Sequence, residues 1–156
     1  MHLLLMRHGE ASNLSLTDQE RPLTPLGRQQ VQQQATQAPL KWQDFSQILT
    51  SPYKRTHQTA NLLSECAHQQ GLIINVAKLD LITPTGQCDI VKKWLLDQSA
   101  SALMLVTHQP FISHFIQFLM STEKTVHIPM YPASMALLSG TLVESEGMQL
   151  VWVRHV

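Results

Sequence analysis

Two apolar runs constrain the fold of this chain most strongly: LLLM at residues 3–6 and LMLV at residues 103–106, each of which delivers a histidine just beyond its end, in MRHGE and VTHQP. A short apolar run bounded by a turn signal reads as a buried strand. Periodicity alone also admits a helical segment, and Gly9 supports a break after the first run. Strands that are apolar along their whole length belong in a sheet covered on both faces, which is the setting of parallel sheets.

The intervening sequence supplies the covering helices. After the polar segment NLSLTDQERPLTPLG comes RQQVQQQATQA, whose Arg, Gln and Ala content suits an exposed helix, with Val31, Ala35 and Ala38 as its apolar stripe and Pro39 to end it. FSQILTSP predicts a strand with Phe45, Ile48 and Leu49. Ser51-Pro52 then reads as a helix start, serine capping free amides and proline taking the first helical position. The helix that follows places Ala60, Leu63 and Ala67 on one face, Leu62 and Cys66 beside them, Arg55 in its first turn and Gly71 at its close. LIINVAKL (72–79) predicts a further strand, residues 88–96 a helix, and FISHFIQFLM after Pro110 a packed helix too short to cross a bilayer. MALLSGTLV and MQLVWV predict two strands joined through ESEG.

Strands alternating with helices predict an α/β fold: a single-domain three-layer sandwich over residues 1–156. Its central sheet is mostly parallel with helices on both faces and an antiparallel element near the end. The length suits one core.

Eleven basic residues balance eleven acidic ones, which argues against a general nucleic-acid or acidic-membrane binder while leaving room for a local phosphate site. Cys66 and Cys88 have neither metal-ligand spacing nor the count of a disulfide framework, so a reduced, cytoplasmic chain is the simpler expectation. No secretory signal pattern or run of transmembrane length is seen. His2, His68, His127 and His155 form no metal motif, no phosphate loop or dinucleotide fingerprint occurs, and Trp42, Trp94 and Trp152 read as packing residues. No cofactor or metal is expected.

In such a fold Arg7, His8, Arg55 and His108 share one property: each lies just past a strand, in the exit loop or the first turn of the next helix. Loops beyond the carboxyl ends of strands form the usual crevice of open α/β sheets, so these four can converge there. Two guanidinium groups suit phosphoryl oxygens, and two imidazoles can serve as nucleophile, proton carrier or electrostatic partner.

Arg7-His8-Gly9-Glu10 resembles the signature of the histidine phosphatase (phosphoglycerate mutase-like) superfamily. The segment from Ser51 to Thr59 (SPYKRTHQT) resembles its second arginine motif, and Thr107-His108 its second histidine motif. Arg21-Pro22-Leu23-Thr24 with Gly27, and residues 81–84 (LITP) with Gly86, are similar to further segments of the small bacterial SixA-like phosphohistidine phosphatase branch, extending the resemblance over nearly the whole chain. The resemblance implies that His8 accepts phosphate, that Arg7 and Arg55 bind it, and that His108 is the second active-site histidine. Gly9, Glu10 and His57 are possible supporting residues. For His57, packing or capping is as plausible as chemistry; Glu10 would orient the RHG turn without being the general acid; and His114 reads as a helix residue with a local acceptor.

Mutases and many phosphomonoesterases of that superfamily carry an acidic proton donor where this chain reads LITP, with Asp80 and Asp89 flanking but not matching it. An alkoxide leaving group would lack its donor. An imidazole leaving group relaxes that demand, because its reference pKa of about 6.5 lies near neutrality. The expected function is therefore removal of phosphate from a protein phosphohistidine through a covalent His8 intermediate. The expected partner is a phosphotransfer protein of a two-component relay or a histidine kinase domain, with phosphate or another oxyanion in the site and neither nucleic acid nor membrane involved. A small-molecule phosphomonoesterase and a noncatalytic phosphohistidine-binding protein are the alternatives.

Overall fold

The computed structural model describes residues 1–120, 128–143 and 147–156. Six strands form one sheet: β1 (His2–Arg7), β2 (Gln47–Thr50), β3 (Asn75–Lys78), β4 (Ala102–Thr107), β5 (Met135–Gly140) and β6 (Met148–Arg154), in the order β3-β2-β4-β1-β5-β6. β3, β2, β4 and β1 run parallel, while β5 lies antiparallel to β1 and β6 antiparallel to β5. The mostly parallel sheet is as expected, and the antiparallel pair falls at the end of the chain. Glu144, Ser145 and Glu146 of the ESEG connection lie outside the described residues, as does His127.

Each strand residue chooses a face by the two-residue period of β structure. Leu3 and Leu5 of β1 join Leu103 and Leu105 of β4 in one core, covered by α3 (Cys88–Leu96) and α4 (Phe111–Met120). Leu4 and Met6 join Met104 and Val106 in the other, covered by α1 (Pro25–Gln37) and α2 (Lys54–His68). Phe111 and Phe115, stacked with centroids 5.2 Å apart, anchor α4. Burying a side chain of this kind stabilises a fold by about 1.5–3 kcal/mol. Trp42 is buried and Trp94 and Trp152 are half-buried, all packed against these cores.

Three local readings need correction. α1 begins at Pro25, earlier than the glutamine-rich run suggests, because the Thr24 hydroxyl accepts from the Gly27 amide at 3.0 Å and proline takes the first turn. Ser51 does not cap α2: the helix starts at Lys54, Tyr53 occupies the cap position without a side-chain bond, and the Ser51 hydroxyl turns to His108. β3 shrinks to four residues because Ile73, 85% exposed, lies outside the sheet.

Other signals hold. Gly71, at φ +79°, ends α2 in a paired arrangement: its amide donates to the His68 carbonyl, and the Leu72 amide to that of Ala67. On α1, Val31 and Ala35 are buried as expected, and Gln34 between them is satisfied by Arg154 at the end of β6. Cys66 and Cys88 are free thiols. Among the described residues no helix is long and apolar enough to cross a membrane.

Candidate active site

Parallel pairing of β1 with β4 puts Arg7 opposite Thr107, so the two strands expel His8 and His108 side by side. Their rings meet edge to face with centroids 5.2 Å apart. The turn is fixed on both sides, since the His8 amide donates to the Thr107 carbonyl and the Ala133 amide donates to the His8 carbonyl. On the far side of β4, β2 ends at Thr50, Ser51 follows, and α2 lifts Arg55 over the same spot. The four residues singled out from the sequence thus converge. His8 is 8% exposed, Arg55 4% and His108 1%; Arg7 is half-buried.

Gly9 is required by close packing. A Cβ there would lie 2.4 Å from the Gly27 carbonyl oxygen, and one on Gly27 would lie 2.0 Å from that of Glu10, so the turn after β1 and the first turn of α1 meet backbone to backbone. Glu10 locks this contact: its amide donates to the Gln30 side chain, and its carboxylate accepts from the Thr24 hydroxyl at 2.8 Å. Its acid group is thereby committed to the start of α1, as expected for an orienting residue.

The hydrogen bonds determine the state of His8. Arg55 Nε lies 3.1 Å from His8 Nε2, and a guanidinium nitrogen can only donate, so Nε2 presents its lone pair. The proton then sits on Nδ1 and is donated to the Gly9 carbonyl at 2.6 Å. Burial pushes the imidazole pKa down to about 3; the Gly9 bond opposes that shift, and the charges of Arg55, Arg7 and Arg21 add to it. His8 is a neutral ring with its free nitrogen aimed into an arginine cluster, which is the form that can attack phosphorus.

His108 is held lower still, at about 2, by burial first and then by His8 and Arg55. Its Nε2 lies 2.8 Å from the Ser51 hydroxyl, and Tyr53 packs edge-on against its ring at 4.7 Å. Arg7 donates from Nη1 to the Met130 carbonyl at 2.9 Å, while its Nε and the Nδ1 of His108 are buried without a hydrogen-bond partner among the described residues. Burial and the neighbouring Arg55 charge lower the Arg7 pKa, but guanidinium remains charged throughout the ordinary pH range. Buried unpaired polar groups cost about 1–3 kcal/mol each, and they collect at sites built for a ligand or for chemistry. Both belong to the residues of this cluster.

Three contributors escaped the sequence reading. Ser51 was taken for a cap, and Tyr53 carried no assigned role. The Asp18 carboxylate reaches the cluster: it accepts from Arg55 Nη2 at 3.0 Å and from Arg21 Nη1 at 2.9 Å, and its backbone carbonyl accepts from Arg55 Nη1. The Asp18/Arg21 spacing of three residues is a local signal that could have marked it; the contact to Arg55 spans 37 positions. Burial alone would raise the Asp18 pKa, but the bonds and charges of the two arginines outweigh it and hold the carboxyl below its ordinary range.

His57, by contrast, is not brought to the histidines. It is half-buried on α2, its Nδ1 is 3.4 Å from the Asn61 side chain, and it borders an outer hollow lined by Leu14, Leu16, Lys54 and Lys78. His114 is exposed on α4, away from any core acceptor, while Asp80 and Asp89 face solvent. Among the described residues no group of three or more His, Cys, Asp or Glu side chains is arranged to hold a metal.

Comparison with known proteins agrees with this geometry. Residues 3–76 match the family model of the histidine phosphatase superfamily (branch 1). The chain is 26% identical over 155 residues to the phosphohistidine phosphatase SixA of Escherichia coli K12, covering 97% of this chain and 92% of that protein. It is 29% identical over 146 residues to a phosphohistidine phosphatase SixA homolog of Haemophilus influenzae, covering 88% and 87%. A solved structure of the protein histidine phosphatase SixA complexed with tungstate superposes with a TM-score of 0.85 at 23% identity, covering 99% of this chain and 97% of the other. The motif residues are thus gathered at the carboxyl ends of β1, β2 and β4 in a chain whose residues 3–76 match the histidine phosphatase superfamily and which is similar along its length to SixA-type phosphohistidine phosphatases.

Proposed function

We propose that the chain is a phosphohistidine phosphatase acting on a protein-borne phosphohistidine, such as that of a phosphotransfer domain or histidine kinase, with His8 as the nucleophile. The observation that carries this reading is the neutral His8 ring, whose Nδ1 proton is spent on the Gly9 carbonyl and whose Nε2 lone pair faces Arg55. A bond forms between Nε2 and phosphorus as the substrate's N–P bond breaks, and the bonding pair leaves on the substrate imidazole, which takes up a proton. Water then attacks phosphorus, the P–Nε2 bond breaks back to His8, and inorganic phosphate leaves. Arg7 and Arg55 balance the charge on the phosphoryl oxygens, and His108 stands at the same group. The steps call for no cofactor.

The substrate class follows from the acid the site lacks among the described residues. Asp18 is the carboxylate at the cluster, and two arginines hold it ionised, so it is a poor proton donor to an alkoxide. A phosphohistidine ring takes that proton from solvent on its other nitrogen near neutral pH and leaves as neutral imidazole, which favours phosphohistidine over phosphate esters. The names of the two curated relatives, and the tungstate bound by a solved one, support the same reading.

The test is release of inorganic phosphate from a purified phosphohistidyl phosphotransfer domain, with His8→Ala alongside and p-nitrophenyl phosphate as the ester control. Rapid release by the native chain, abolished in the variant and slow on the ester, is expected. Cleavage of the ester alone would make it a small-molecule phosphatase; tight binding of the phosphorylated domain without cleavage would make it a binding protein.

A further inference from the structure

The guanidinium of Arg55 is used along two separate edges. Its terminal edge is held by Asp18, with Nη1 donating to the backbone carbonyl and Nη2 to the carboxylate, while Nε points at His8 Nε2. When His8 attacks phosphorus its lone pair is consumed, so the Nε–H of Arg55 must pass from the imidazole to a phosphoryl oxygen. That transfer needs the guanidinium plane to stay aimed at His8 while its ring acceptor disappears. The grip of Asp18 on the opposite edge can provide this.

The loop that carries Asp18 is constructed as a rigid support. Arg21 crosses it, donating from Nε to the Ser12 carbonyl at 2.7 Å, from Nη1 to the Asp18 carboxylate at 2.9 Å and from Nη2 to the Asn13 side chain. The loop is pinned to α2 twice, by the Lys54 amide, which donates to the Gln19 carbonyl at 2.9 Å, and by the Leu23 amide, which donates to the Gln58 side chain at 2.7 Å. Asp18 is therefore held by the same helix turn that carries Arg55, and the carboxylate bridges two arginines.

From this geometry we infer that Asp18 is a positioning residue, which orients Arg55 toward the phosphoryl group in the transition state and does not itself touch substrate. The inference rests on the proposed phosphoryl transfer through His8, and it predicts a specific asymmetry. Removing the carboxylate leaves the positive charge that attracts a phosphate dianion in place, or strengthens it, but takes away one of the two bonds that fix the guanidinium plane and leaves the backbone bond alone to hold it. Binding of the ground state is kept while the transition state loses a well-aimed donor, which is the kind of interaction that lowers kcat without raising KM.

Asp18→Ala and Asp18→Asn in the full chain test it. With orthovanadate as the five-coordinate mimic and inorganic phosphate as the ground-state ligand, calorimetry on the alanine variant is expected to show vanadate weakened about tenfold and phosphate unchanged or tighter. The asparagine variant keeps an acceptor for Arg55 and falls between. Turnover of the preferred substrate is expected to lose kcat by a similar factor at constant KM, with melting curves confirming folded protein. Equal weakening of vanadate and phosphate would overturn the inference, as would unchanged vanadate affinity or faster turnover, the last meaning that the carboxylate obstructs the site. If the native chain fails to hydrolyse phosphohistidine, the function reading falls, and the vanadate-to-phosphate ratio still decides the role of Asp18.

Discussion

Burying two neutral histidines makes stability depend on pH in a window that ordinary carboxylates do not cover. His8 and His108 have pKa values of about 3 and about 2 in the folded chain, against 6.5 when unfolded. The unfolded chain therefore binds protons first, and stability present above about pH 6.5 is lost as pH falls, down to the folded values. Both groups are at least nine-tenths buried, so solvent screening removes little of the effect. At about pH 5.5, one unit below the unfolded pKa, each contributes a loss of about 1.4 kcal/mol relative to neutrality, and the pair about 3 kcal/mol. This is a large share of the 5–15 kcal/mol typical of a domain. Asp18, whose pKa is depressed, acts in a lower window: its contribution is lost as pH falls below the ordinary carboxylate range. Urea unfolding followed by circular dichroism between about pH 7.5 and 5.5 measures the loss directly. Replacing one of the pair, as in His108→Asn, should roughly halve the slope. A native chain equally stable at both ends of that range, or a variant with the full slope, would refute the argument that these rings are buried uncharged.

Further outcomes follow from contacts already described. Gly27→Ala drives a methyl to 2.0 Å from the Glu10 carbonyl, backbone against backbone, and is expected to cost about 3 kcal/mol and to reduce turnover by displacing His8, read from a thermal midpoint and an initial rate on one preparation. Ser51→Ala removes the partner of His108 Nε2 and is expected to cost about 1–3 kcal/mol; a variant as stable and as active as the native chain would show that the 2.8 Å contact carries no weight.

The sequence disclosed what is local or repeated. Two apolar runs, each followed by a histidine, announced the strands β1 and β4, and Gly71 announced the end of α2, because the pattern and the geometry lie within a few residues of each other. The convergence of Arg7, His8, Arg55 and His108 was legible too, since each follows a strand and strand ends gather in this architecture. What escaped was set by contacts between distant segments. Ser51 has every local mark of a cap, but a buried imidazole 57 residues away takes its hydroxyl. Asp18 sits in a loop without periodicity, and its main partner enters 37 residues later. His57 shares a motif with Arg55 yet lies two positions along a helix, where 3.6 residues per turn carry it to another face.

The strand order also bears on when a working protein exists. β1 carries Arg7 and His8, and both of its sheet neighbours are far along the chain: Leu3 pairs with Leu103 on one side and with Leu138 on the other. During synthesis His8 is made well before the strands that flank it, and it remains without its sheet neighbours until roughly a hundred more residues have followed. Closing so long a loop is slow and comes late in folding. A partly made or partly folded chain therefore has the motif but not the neutral, caged imidazole, and phosphoryl chemistry begins only when the central sheet has closed around β1.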